Sequence, residues 1–230
     1  MGKLKNLAGE TVLYGLGSFV PRFLNFLLVP LHTDVFLPEA YGVISKILAF
    51  VGVLNVVYTF GMETAYFRFA TKPEANEKKV FNLTQTVIVG VSLIISIPII
   101  LQSERIANAL AVPGNANLVT WFVLIMFIDA VVAVPFARLR LQKKAKQFAI
   151  GKIINVVLLI GLNLYFLKVA YNPSVGIGYI VLANLFANAF YLLFFLKTLV
   201  SWRPAFEKGT SMTMLSYSYP IMLTGVAGVT

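Results

Sequence analysis

Apolar stretches of about the length that crosses a bilayer, roughly 20 residues, alternate with short polar ones along the whole chain. Six complete spans are expected, at 8–31, 41–60, 80–101, 116–137, 151–170 and 175–199. A seventh apolar run starts near Met214 and is still apolar at Thr230, so more chain is expected beyond it. Within the spans, polar residues fall at helical intervals. Thr11, Tyr14, Ser18, Arg22 and Asn25 recur every three or four positions and so share one face of the first helix. The second span repeats the pattern with Ser45, Gly52, Asn55, Thr59, Glu63 and Tyr66, and the third with Asn82, Gln85, Ser92 and Ser96. Asn155 and Asn163 mark the fifth, Asn184, Asn188 and Tyr191 the sixth, and Asp129 lies near the middle of the fourth.

Composition supports the same picture. The 230 residues are 59% hydrophobic and 12% charged, whereas soluble domains average about half apolar and a quarter charged. The chain therefore reads as an all-α polytopic membrane protein. Its first apolar segment is followed by further spans and is expected to stay in the mature chain rather than be cleaved as a signal peptide. The absence of cysteine excludes disulfides, thiolate metal sites and cysteine nucleophiles. One histidine, His32, cannot build a multi-histidine metal site, and its place beside a helix end predicts a wet surface position.

The net charge of +10 is a topology signal first. The connections HTDVFLPEA, QSERIANALAVPGN and YNPS hold one basic residue between them. On the other side, Lys3 and Lys5 precede the first span, and Arg68, Lys72, Lys78 and Lys79 follow the second. Arg138, Arg140, Lys143, Lys144, Lys146 and Lys152 follow the fourth, and Lys197, Arg203 and Lys208 flank the sixth, which makes 15 of the 19 basic residues. The positive-inside rule then places the N-terminus and the even connections in the cytoplasm. The run RLRLQKKAK suits anionic lipid headgroups better than a nucleic acid, and no nucleic-acid partner is expected.

Serine, threonine and asparagine in a span can simply join helices, at about 0.6 kcal/mol per interhelical bond. Charges are harder to place, because an arginine, lysine or aspartate at mid-span costs about 2.5–3.5 kcal/mol and must find a partner or water. Arg22 and Asp129 raise that question here. They are expected either to pair with each other or to border an aqueous cavity, with Lys46 above Arg22 and Glu63 and Arg68 below. Pro21 and Pro30 predict a bent first helix, which serves equally as a gate or as packing geometry.

The run PRFLNFLLVPLHTDVFLPEAYG at 21–42 and the segment FGMETAYFRFA at 60–70 resemble the polysaccharide flippases, Wzx-like O-antigen transporters of the multidrug/oligosaccharidyl-lipid/polysaccharide exporter superfamily. The likeness continues through RLRLQKKAKQFAIGK and LSYSYPIMLTGVAG and spans essentially the whole chain. It implies two six-helix lobes around a central cavity, with residues 1–208 as the N-terminal lobe and 209–230 as the start of the second. It also implies that undecaprenyl-pyrophosphate-linked oligosaccharide is flipped across the bacterial inner membrane by alternating access. Arg22 stands where such flippases commonly carry a cavity arginine, and guanidinium groups hold pyrophosphate bidentately. The candidate substrate-binding set is Arg22, Asn25, Lys46, Asn55, Glu63, Arg68 and Asp129, with no catalytic or metal residue and no cofactor. Expected partners are the lipid-linked substrate, membrane lipids and the second lobe, with a glycan polymerase or glycosyltransferases as further candidates.

Two rivals follow from the same residues. A drug or cation antiporter of the superfamily would rely on buried carboxylates, a role open to Glu63 and Asp129. A membrane glycan polymerase or ligase would be expected to carry large outer loops with reactive charges. Here those loops are short and hold only Arg105 as a clear cation, and the lone His32 completes no Ser-His-Asp set, so enzyme activity is not expected.

Overall fold

The computed structural model describes residues 28–228 together with 15, 19, 20 and 23. Residues 28–35 are the described stretch of a first helix, α1. It is followed by α2 (Pro38–Thr59), α3 (Met62–Ala70), α4 (Glu77–Leu101), α5 (Ser103–Ala109) and α6 (Ala116–Leu141). Then come α7 (Ala145–Lys168), α8 (Gly178–Phe194), α9 (Leu196–Ser201) and α10 (Lys208–Ala227). There is no strand among the described residues. By length and composition, four helical stretches can cross a membrane: Pro38–Ala70, Glu77–Leu101, Ala116–Leu141 and Ala145–Lys168. Gly178–Phe194 is apolar but shorter.

Local chemistry sets several helix starts. Pro38 opens α2 with its φ already helical and no amide hydrogen to satisfy, and Glu39 faces the positive end of the helix. Asn76 caps α4 by accepting a hydrogen bond from the Lys79 amide at 3.0 Å, with Glu77 in the first turn.

The axis of the bundle is α6, which packs against α2, α3, α4, α5, α7 and α8. Its apolar residues point in every direction, as a helix buried on all sides requires. On the side nearest the basic connections, Tyr58, Met62, Tyr66, Phe81, Met126 and Met214 close one core. At the opposite end Ile44, Ile47, Val119 and Val181 close another. The peripheral helices turn apolar side chains outward instead. Ile94, Ile97 and Leu101 on α4 and Val157 and Leu164 on α7 are exposed, as a lipid-facing belt demands.

The polar stripe of the third span works inside the bundle. The Gln85 amide donates to the Val131 carbonyl at 2.8 Å, and Tyr58 and Ser96 share a hydroxyl hydrogen bond of 2.8 Å. Each joins α4 to a neighbour at a buried position, which is the helix-joining role.

Three expectations change. The second span does not stop at 60: two successive left-handed residues, Phe60 (φ 48°) and Gly61 (φ 63°), break it, and α3 carries the chain onward. The sixth is broken at Phe195 into α8 and the short α9. His32 is buried, not wet, at 6% exposure. Its Nε2 donates to Asn163 Oδ1 of α7 at 2.8 Å, which leaves Nδ1 to accept from the Tyr41 hydroxyl of α2 at 3.0 Å. His32→Phe fills the space but orphans both partners, and is expected to lower stability by about 1–2 kcal/mol. A thermal melt of the detergent-solubilised protein reads this loss, and an unchanged melting temperature would assign the network no structural weight.

Candidate functional site

Four half-buried charged side chains from three helices form one group along α6. Asp129 and Arg140 both stand on α6, 11 positions apart, which corresponds to about 16 Å of helix rise. Glu63 in the first turn of α3 forms an ion pair with Arg140. Lys152 lies two turns into α7, close enough to Asp129, Arg140 and Glu63 to interact electrostatically with each. The order Glu63, Arg140, Lys152, Asp129 thus runs from the basic end of the bundle toward its middle, with two positive groups held between two negative ones.

The neighbours of this ladder are aromatic and amide groups. The Lys152 ammonium sits 4.2 Å from the centre of the Phe136 ring and 5.0 Å from that of Tyr191, a placement that stabilises a partly desolvated cation. Phe136 is held edge-on by Tyr191, Phe148 and Phe195 at centroid separations of 5.0, 5.5 and 4.7 Å. At the inner end, Asn188 of α8 donates to Asp129 Oδ1 at 3.0 Å. Asn155 of α7 donates in turn to Asn188 Oδ1 at 3.1 Å and to the Ala187 carbonyl at 2.7 Å. Asp129 is therefore solvated by an asparagine relay on one side and by a lysine on the other. At the outer end, Arg140 Nε is buried with no acceptor among the described residues.

A second ion pair lies beside the ladder. Arg138 places Nη2 on Glu77 Oε2 and Nε opposite Oε1, both at 2.9 Å, and its guanidinium covers the Phe81 ring at 4.5 Å. The Tyr66 hydroxyl donates to the same carboxylate. This group ties α3, α4 and α6 together. At the aqueous margin, Lys79 and Glu207 pair at 2.9 Å. The Lys79 ammonium, with the Thr210 hydroxyl, holds the Glu207 carboxyl below the usual carboxylate range. Its contribution persists above that range and fades as the pH falls through it.

Of the sequence-predicted residues, Glu63 and Asp129 stand at the two ends of the ladder. The other described candidates do not join them. Arg68 is exposed, with its guanidinium 4.3 Å from the centre of the Tyr217 ring of α10. Lys46 reaches the Ala111 carbonyl at 3.3 Å at the opposite end of the bundle, and Asn55 is exposed on α2. No hydrogen bond or ion pair joins Lys46, Asn55 or Arg68 to the ladder among the described residues. Arg22 and Asn25 lie outside the described residues. Among the described residues Asp129 accepts a hydrogen bond from Asn188 and interacts electrostatically with Lys152, and the described end of α1 runs along α7 and α8, where Leu28 packs on Leu159, Ala183 and Ala187.

Sequence reasoning passed over Arg140 and Lys152, both counted only as topology charges. The available signal was helical register. Lys152, Asn155 and Leu159 repeat at intervals of three and four, and α7 begins at Ala145, not 151. Asn155, Asn188 and Tyr191 were visible as polar stripes, but without the charged partners that give them a task.

A profile of one protein family, described as polysaccharide biosynthesis protein, matches residues 35–229. The chain belongs to this polysaccharide biosynthesis family. Two solved transporters share its fold. One is a MATE transporter in complex with MaD3S, with 17% identity, TM-score 0.69, and coverage of 96% of this chain and 53% of that one. The other is an outward-facing multidrug resistance MATE family transporter of the MOP superfamily, with 18% identity, TM-score 0.69, and coverage of 96% and 52%. This member of the polysaccharide biosynthesis family thus spans about half the length of the transporters it resembles. It is a multi-pass membrane protein built as half of a MATE-like fold. Comparison with proteins of curated function gave no match.

Proposed function

We propose that the chain is the N-terminal lobe of a transporter that flips undecaprenyl-pyrophosphate-linked oligosaccharide across the bacterial cytoplasmic membrane by alternating access. One observation carries this reading: a polysaccharide biosynthesis family match over residues 35–229 coincides with the fold of a membrane transporter. The chemistry is compatible. Pyrophosphate calls for cations that are partly shielded from water, and sugars call for amide and hydroxyl partners. Lys152 and Arg140 supply the first kind and Asn155 and Asn188 the second, and from the sequence we add Arg22 and Asn25. The N-terminus is on the cytoplasmic side in this reading, and the second lobe supplies the other wall of the cavity.

In a strain whose surface glycan depends on the full-length protein, Arg22→Lys is expected to retain most export. Arg22→Gln and Arg22→Ala are expected to lose at least tenfold at normal protein level. If Arg22→Gln instead loses the protein itself, and added Asp129→Asn restores it, the arginine is a counter-ion and the substrate assignment falls.

A second reading is favoured by the multidrug resistance function named for one structural relative and by the carboxylates Glu63 and Asp129. It is a drug or cation antiporter. The two readings separate on one comparison. Loss of the full-length protein should accumulate lipid-linked glycan on the cytoplasmic leaflet if it is a flippase, and should sensitise cells to cationic drugs if it is an antiporter.

A further inference from the structure

Below the turn that joins α6 to α7 lies a pocket of about 590 Å³ outside the charge ladder. Its polar rim is Gln142, Lys144, Gln147 and Lys197, and its floor includes Phe194 and Phe195. The rim lysines differ from three neighbouring cations, and from the unpaired lysines of the same turn in that they line the pocket. Arg138, which also lines the pocket, is taken up by Glu77, Arg140 by Glu63 and Lys79 by Glu207. Lys144 and Lys197 are exposed and make no ion pair among the described residues. They come from different helices. Lys144 closes the turn before α7, and Lys197 lies in α9, just past the break at Phe195.

The surroundings restrict what can bind. Ile150 lines the pocket and is half exposed, while Leu193 and Leu196, on either side of the floor phenylalanines, are 71% and 53% exposed. A site with two free ammonium groups and two amides above, an aromatic floor and exposed aliphatic flanks matches an amphiphile. Its head is an anion with oxygen acceptors, and its tails are hydrocarbon. Such a surface at a membrane boundary draws anionic headgroups.

We infer that the pocket bounded by Lys144, Lys197 and Phe195 binds the phosphate headgroup of an anionic phospholipid, with the acyl chains along Ile150, Leu193 and Leu196. The two lysines and the glutamine amides hold the phosphodiester oxygens. The site requires only that this end of the bundle meet a lipid–water boundary, and it stands whether or not the lobe carries a glycan.

The test uses the full-length protein in nanodiscs of mixed phosphatidylethanolamine and phosphatidylglycerol, with retained lipid counted by native mass spectrometry. Wild type should retain phosphatidylglycerol preferentially. Lys144→Gln with Lys197→Gln should reduce that preference roughly fivefold per lysine, the weight of one cation near an anionic surface. The control is Lys143→Gln with Lys146→Gln, which removes the same charge from the same turn outside the pocket lining and should preserve the preference. Both variants are compared only as monodisperse protein. The inference is overturned if the pocket variant keeps the preference, if the control loses as much, or if wild type shows none. Displacement of the retained lipid by millimolar inorganic phosphate would also overturn it, because the ligand would then be a free anion.

Discussion

Lys152→Met in the full-length protein is expected to reduce glycan export at least tenfold and to lower protein level as well. The second effect follows from what the methionine leaves behind. Asp129 keeps the Asn188 hydrogen bond at 3.0 Å but loses the only ammonium that interacts with it electrostatically among the described residues. Removing one member of a fully buried pair costs about 3–5 kcal/mol; both groups here are partly exposed, which brings the expected loss to about 2 kcal/mol. Adding Asp129→Asn removes the stranded anion while an amide remains for Asn188. The double variant should therefore return to within about 1 kcal/mol of wild-type stability.

Export is where the two roles of the ladder separate. If Lys152 and Asp129 only hold α6, α7 and α8 together, the double variant should recover export along with protein level. If they handle substrate or the coupling ion, protein level recovers and export does not. The proposed function requires the second outcome. Quantitative blotting and surface-glycan staining on the same cultures give both readings, and full recovery of export would remove the ladder from the site. The Phe136 and Tyr191 rings add a check. Because they stabilise the cation by about 1–2 kcal/mol when it is desolvated, Tyr191→Leu should weaken export less than Lys152→Met and more than a change on the lipid-facing side, such as Val157→Leu.

Why Asp129 was visible in the sequence and Lys152 was not is a matter of where each charge sits relative to the apolar run. A carboxylate in the middle of such a run has no reading except a partner or a cavity. A lysine near its edge reads as part of a basic connection until the helix is seen to begin six residues earlier than the hydropathy suggests, at Ala145. The helices themselves were legible because bilayer thickness fixes their length. The breaks were not. FYLLFFLK is continuous in hydropathy across Phe195, and nothing in a bulky residue such as Phe60 announces a left-handed conformation; only the following glycine hints at it. His32 was misjudged for a related reason. Its environment is decided by Asn163, 131 positions away, and a local reading has no access to that contact.

Gly61→Val is expected to impair the protein more than any other glycine substitution in the bundle. Two independent constraints meet there. With φ at 63°, a side chain on residue 61 occupies a left-handed conformation that costs about 1–2 kcal/mol and is worst for a β-branched residue. A Cβ there would also stand 3.0 Å from the Ser218 carbonyl oxygen and 3.1 Å from the Ile221 side chain of α10. The backbone oxygen cannot rotate away, so either α10 shifts or the α2–α3 break reforms, adding about 1–3 kcal/mol. The consequence reaches beyond stability, because α10 is the helix assigned here to the second lobe and it seats on this break. Arg68 covers Tyr217 one side of it, and Gly225 admits the Val56 side chain on the other, where a Cβ would come within 2.7 Å. If the lobes move against each other during transport, this contact must be remade in each cycle. Full-length Gly61→Val should then lose most export even at reduced growth temperature, where folding recovers. Gly61→Ala with Ile221→Ala removes the β-branch at 61 and the Ile221 Cγ2 contact, leaving the Cβ contact, and should fall between Gly61→Val and wild type. The matched control is Gly42→Ala in α2, where nothing lies within 4 Å; it should leave export intact and stabilise the helix by about 0.5–1 kcal/mol. Equal export from Gly61→Val and Gly42→Ala would show that α10 does not depend on the break for its seat.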